Sequence, residues 1–195
     1  MTHSLRIRLF DRARSRFLWL FLAFSFFGLP ISKGQNDDAL SRTYQRATDL
    51  LTAQDDPGMF RFLDSLQKAV KEDEDLALLH DLLTARHLRY LGRNVDAYHA
   101  LDSLAIDTAH APALLLFSWN SELAQNLRDM DMHEAARKTA HKALSFATQL
   151  VSVEQRVNTI NILGEIELQA GLYDDDMAYF VTAEKEKKKK NYPKG

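Results

Sequence analysis

The stretch "ILGEIELQAGLYDDDMAYFVTA", residues 162–183, sets Leu163-Gly164 in one helical run, a turn at Ala170-Gly171, and a second run carrying Ala178, Phe180 and Ala183. Small residues in both runs describe two antiparallel helices in close contact. Backbones approach only where side chains are small, and larger apolar residues three and four positions away fill the grooves. One such hairpin cannot cover both its faces, so further copies are to be expected.

The frame recurs around Asp131 in "SELAQNLRDMDMHEAARKTAHKALSFA" and around Gly92 in "LLTARHLRYLGRNVDAYHALDSLAID". A weaker copy surrounds Pro57 in "YQRATDLLTAQDDPGMFRFLDSLQKAV". The turn positions 57, 92, 131 and 171 are separated by 35, 39 and 40 residues. Seven residues before the last three turns stand Ala85, Ala124 and Gly164; five after stand Ala97 and Ala136, with Asp176 breaking the series. Twelve after come Leu104, Ala143 and Ala183, with Ala69 in the weakest copy.

Helix-start signals fit this frame. Asp131 with Glu134 and Ser152 with Gln155 read as capping boxes, and Asp56-Pro57 reads as an N-cap followed by a proline at the first helical position. The signals predict helices at 36–54, 57–73, 75–91, 95–108, 112–129, 132–151, 153–170 and 173–190. Seven Gly and four Pro in 195 residues leave the runs unbroken. No sustained alternation of β-branched and polar residues predicts a strand. The expected fold is all-α.

The frame resembles the tetratricopeptide repeat. The resemblance rests on Leu163-Gly164 and Leu123-Ala124 in first helices, on Gly171 with Tyr173 at a turn, and on alanine plus an aromatic in second helices. It covers residues 40–190 and implies an α-solenoid of about four antiparallel helix pairs wound as a right-handed superhelix. Asp131 in place of a turn glycine, Asp176 in place of a close-packing alanine, and spacings longer than the usual ~34 depart from the pattern. Proteins of this kind bind partners on the concave face, lined by the first helix of each pair. The positions so implied are Arg86, Arg89 and Tyr90; Ser118, Ser121, Gln125 and Arg128; and Asn158, Asn161, Glu165 and Gln169. Arginine gives planar donors to carboxylates and asparagine bonds a peptide backbone on both sides. The expected partner is a protein or an extended peptide segment, acidic or C-terminal, bound by a scaffold that performs no catalysis.

Residues 1–16 hold five arginines against a single aspartate, and "FLWLFLAFSFFGL" follows at 17–29. A basic start, a short apolar run and small residues at Ser32 and Gly34 describe a signal peptide cleaved after Gly34. The apolar run falls short of the ~20 residues of a membrane span; the alternative is an uncleaved anchor in the inner membrane. The domains expected are a signal peptide at 1–34, a helical array at 35–190 and a tail at 191–195, and the protein is expected to be exported to the periplasm or beyond. Without residues 1–34 the chain keeps 19 basic and 26 acidic residues. That excess of acid argues against a nucleic-acid binder. By analogy alone, the chain would otherwise be the sensory front of a larger transmembrane regulator.

Chemical motifs are sparse. Cysteine is absent, which excludes disulfides and thiolate chemistry. His133-Glu134 lacks the second histidine of a zinc-binding HExxH, because Arg137 stands there. "DMDMHE" lacks the glycine and the distal glutamate of a calcium loop. His80 and His87 share a helix face but make only two ligands. No cofactor or metal is expected. The last helix carries Tyr179, Phe180 and Ala183, which another helix would ordinarily cover, and self-association through it is a further expectation.

Overall fold

The computed structural model describes residues 33–70, 73–150 and 152–191. Residues 1–32 of the segment read as a signal peptide and the tail beyond Asn191 lie outside them, while Lys33 and Gly34 begin the first described helix. By its contacts the chain divides into residues 1–38 and 39–195, and the core described below belongs to the second unit.

The fold is all-α. Among the described residues eight helices follow one another: α1 Lys33–Thr52, α2 Asp56–Ala69, α3 Glu74–Tyr90, α4 Asn94–Asp102, α5 Ala113–Asp129, α6 His133–Gln149, α7 Val153–Gln169 and α8 Tyr173–Asn191. No strand occurs among the described residues.

The hairpin turns share one backbone geometry. Gln54, Gly92, Asp131 and Gly171 have φ of 56, 75, 60 and 78°. At each, the amide one residue further on donates back to the carbonyl five residues earlier: Asp55 to Leu50, Arg93 to Leu88, Met132 to Leu127 and Leu172 to Glu167, at 2.9–3.0 Å. The left-handed residue itself donates to the carbonyl three residues back. This is the Schellman helix stop, four times over. Two expectations are thereby corrected. The first turn lies at Gln54 and not at Pro57, which sits in the first turn of α2 where its missing N–H is not needed. Asp131 is the left-handed residue and not a capping side chain: α6 starts from Met132, which makes no side-chain cap bond. Asp55 instead of Asp56 caps α2, accepting from the Gly58 amide at 2.9 Å. Ser152 caps α7 by accepting from the Gln155 amide at 3.3 Å, the forward half of the expected capping box, while Gln155 Oε1 has no partner.

With the first turn moved, the left-handed residues 54, 92, 131 and 171 stand 38, 39 and 40 apart. Seven residues before them stand Ala47, Ala85, Ala124 and Gly164, all buried. Five residues after, Met59, Ala97 and Ala136 are fully buried. The small-residue column therefore extends to all four hairpins. On α6 it widens into Ala136, Ala140, Ala143 and Ala147, a buried stripe at helical spacing that lets α5 and α7 both pack close. Gly164 permits the closest approach: a methyl there would lie 2.9 Å from the ring of Phe180 on α8.

Helices pack within hairpins, α3 with α4, α5 with α6 and α7 with α8, and each hairpin meets the next. The first helices also touch, α3 with α5 and α5 with α7. The largest core cluster joins residues of α1 to α6, among them Leu40, Met59, Leu79, Leu101 and Phe117. Smaller ones join Leu127 with Ile162 and Ile166, and Val157 with Ala183. Helix α4 stops at Asp102, six residues short of the expected end. The Asp107 carboxylate accepts from the Ala109 amide in a local turn, and Trp119 Nε1 on α5 donates to the Leu101 carbonyl at 3.1 Å. The tertiary bond takes a carbonyl that a longer helix would have used.

Candidate functional site

The residues six positions before each left-handed turn residue are Thr48, Arg86, Gln125 and Glu165. Side chains at and near these positions meet across the first helices. Between α1, α3, α5 and the start of α7 lies a cavity of about 140 Å³. Ser41, Tyr44, Gln45 and Thr48 line it from α1, Arg86 from α3, Leu114 and Phe117 from α5, and Gln155 and Asn158 from α7.

Arg86 anchors this cavity. Its Nη1 donates to Thr48 Oγ1 at 2.9 Å, its Nε lies 3.2 Å from Glu122 Oε1, and its guanidinium stands 5.4 Å from the centre of the Tyr44 ring. Burial opposes the charge on Arg86, but Glu122 and Tyr44 outweigh it and hold the guanidinium's pKa above its ordinary value. Burial raises the pKa of Tyr44, against the opposing charge of Arg86. The Tyr44 ring meets Phe117 edge-on at 6.5 Å.

Arg89 reaches the same carboxylate. Its Nε and Nη2 lie 3.4 and 3.3 Å from Glu122 Oε2, while Nη2 also donates to Gln125 at 3.1 Å and Nη1 approaches Asp129 at 3.4 Å. Glu122, only 3% exposed, is thus held between two arginines. Arg128 pairs with Glu165 of α7 and with Asp129. Arg89 to Gln125 and Arg128 to Glu165 are the same bridge in successive hairpins: three residues before one turn residue to six before the next.

The expected groove residues divide accordingly. Arg86 and Asn158 line the cavity. Arg89, Gln125, Arg128 and Glu165 form the bridges between first helices. Ser118 and Ser121 are buried, Ser118 donating to the Leu114 carbonyl at 2.7 Å. Asn161 is half-buried, and Tyr90 and Gln169 are exposed. Arg86 and Arg89 face one ligand, as their spacing predicts, but that ligand is Glu122 of the chain itself. The groups left to an incoming molecule are the hydroxyl of Ser41, the amides of Gln45, Gln155 and Asn158, and the carboxylate of Glu154. Gln155 Oε1 is buried with no hydrogen-bond partner. Primary amides carry a donor and an acceptor side by side, the complement of a peptide bond.

Sequence reasoning placed a helix at 36–54 but missed the contribution of α1 to the site. With the turn at Pro57, Thr48 and Tyr44 fell out of register with Arg86. Counting from Gln54 puts Thr48 level with it. Glu122 and Glu167 gave no signal. Glu167 of α7 accepts two bonds from Arg137 of α6, at 2.5 and 2.6 Å. That hydrogen bonding is the main reason its pKa lies below the ordinary carboxylate value, and it raises the pKa of Arg137. The arginine that interrupts HExxH is therefore a tie between hairpins. Among the described residues no group of three or more His, Cys, Asp or Glu is placed to hold a metal ion, and no helix is long and apolar enough to cross a membrane.

No protein-family model matches the chain, and neither a curated protein nor a solved structure matches it.

Proposed function

We propose that this chain is an exported α-solenoid of the tetratricopeptide-repeat kind, a scaffold that binds an extended segment of another protein along the face formed by its first helices and performs no catalysis. The observation that carries the reading is the repetition: four helix stops of one geometry, 38 to 40 residues apart, with first helices in contact and a polar cavity across them. Stacked hairpins of this kind create extended binding faces.

The pairing of the arginines sharpens the choice of partner. Arg86 and Arg89 are engaged by Glu122, and Arg89 also by Asp129, so recognition falls to Gln155 and Asn158 at the cavity and to Asn161 further along α7, which suit a peptide backbone. Arg128, whose partner Glu165 is 50% exposed, is the place where an acidic side chain of the segment would compete.

Selection of binders from a displayed library of unstructured peptides tests the reading. Peptides that bind the chain and lose about tenfold or more in affinity to an Asn158→Ala/Gln155→Ala variant of unchanged melting temperature support it. Binders indifferent to these substitutions, or to Asn161→Ala, refute the assignment of the face. Export is tested by the N-terminal residue of the protein from its native host, with Gln35 the expected result.

A further inference from the structure

The junction between the first two hairpins is not filled as the later ones are. Twelve and eight residues before its left-handed turn residue, the third hairpin places Trp119 and Leu123, which pack against the main core. The fourth places Thr159 and Leu163 there, both fully buried. The second places His80 and Thr84, both only half-buried. Beside them, between α2 and α3, remains a cavity of about 380 Å³, within the ~300–1,000 Å³ range of small-molecule pockets. Leu63 and Leu88 give it apolar walls, and Phe60 and Leu91, exposed by 58 and 40%, also line it. His80 and His87, the two histidines that share a face of α3, both border it. The His87 ring is buried and meets the ring of Phe60 edge-on at 4.6 Å.

Trp119 shows what such a junction accommodates. Its Nε1 donates to the carbonyl of Leu101, nine residues after the left-handed residue of the preceding hairpin. The matching carbonyl in the first hairpin, that of Leu63, lies within α2 and is engaged by the helix itself. A donor placed in the cavity therefore has to find side chains, and those present are rich in acceptors. His80 Nδ1 donates to Asp81 at 3.0 Å, since a carboxylate only accepts. Nε2 of the neutral ring is then left as an acceptor. Asp64 adds a carboxylate, 2.6 Å from Lys68. The Thr84 hydroxyl directs its proton to the His80 carbonyl at 2.9 Å, and Arg93 is engaged by Asp96. Gln67 carries both kinds of group. The set favours a ligand that donates.

We propose that this cavity binds a small planar aromatic molecule with an N–H or O–H donor, of the indole or phenol class. Its rings lie against Phe60, Leu63 and Leu88, and its donor is directed to His80 and Asp64. The site shares no residue with the cavity of the first-helix face, so it stands or falls separately from the binding of an extended segment.

Titration of the full chain with indole, followed by the imidazole NMR signals, tests the proposal. Expected are saturable shifts at His80 and His87 and none at His110, which is 85% exposed elsewhere. 1-Methylindole, which keeps the rings and lacks the donor, should bind about tenfold more weakly. His80→Trp gives the first junction the residue that the second already has. It should fill the cavity, so that indole no longer shifts His87. Phe60→Ala, at an exposed position, removes an aromatic wall while leaving the buried core in place, and should weaken indole about tenfold. An absence of saturable shifts, equal shifts at His110, equal binding of 1-methylindole, or indole binding that survives both substitutions overturns the proposal.

Discussion

Gly164 lies directly under the ring of Phe180, with no room for a methyl group between α7 and α8. The contact explains why this hairpin, unlike the others, places glycine in the small-residue column: the facing side chain is an aromatic. Gly164→Ala gains about 1 kcal/mol of helix propensity and sets it against an overpacking cost of about 1–3 kcal/mol. The expected result is a net loss of stability in urea denaturation, relieved when Phe180→Leu is added. A variant as stable as the native chain would mean that the two helices separate freely.

Glu122 is the residue whose loss should cost most. Removing it leaves Arg86 without a carboxylate partner and Arg89 with only Asp129 at 3.4 Å, each arginine having 15% of its side chain exposed. Breaking a buried pair from one side costs about 3–5 kcal/mol, and Glu122→Ala should fall in that range. Asp96→Ala, which breaks the exposed pair with Arg93, should cost under about 1 kcal/mol. Equal effects would show that the two arginines find other partners.

Asp131 holds a conformation that glycine adopts without penalty. At φ 60°, Asp131→Gly should stabilise the chain by up to about 1 kcal/mol, since its carboxylate caps nothing. The reciprocal change, Gly92→Ala at φ 75°, should destabilise by about 1–2 kcal/mol. Thermal melts of both variants against the native chain read this directly.

The Arg137–Glu167 tie predicts a pH dependence. The folded-state pKa of Glu167 lies below its ordinary value of 4.5, so the folded state favours the ionised form. Its contribution is complete above the unfolded value and disappears as pH falls through the folded one. The melting temperature should therefore drop as pH is lowered from about 5. In Glu167→Gln that part of the slope should be missing, with the melting temperature lower above about pH 5 and the two curves converging in acid. An unchanged slope would assign the acid sensitivity to other carboxylates.

Most of the helices were legible because small residues recur at fixed distance from each turn. The misplacement of the first turn shows where this reading breaks down. Proline attracts a turn assignment, whereas Gln54 carries no mark of the left-handed conformation in which it stops α1. Moving the frame by three residues brings Ala47 into its column and Thr48 level with Arg86. The candidate site was less accessible for a different reason. Glu122 sits among polar residues of α5 and has the appearance of a solvated side chain. Its burial follows from two arginines 33 and 36 residues away on another helix, and no local pattern encodes that. The early end of α4 is similar, for it depends on Trp119 reaching back to Leu101.

The polar ties between hairpins have a kinetic meaning. Arg137 to Glu167, Arg89 to Glu122, Arg128 to Glu165 and Arg86 to Thr48 close loops of 30, 33, 37 and 38 residues. Loop-closure entropy varies only slowly with length, so each docking step meets nearly the same entropic barrier, and folding can start from any hairpin and spread both ways. The cavity is the exception. Its walls come from Ser41 at one end and Asn158 at the other, so it takes shape only when α1, α3, α5 and α7 have all docked, and no single hairpin carries the candidate binding face.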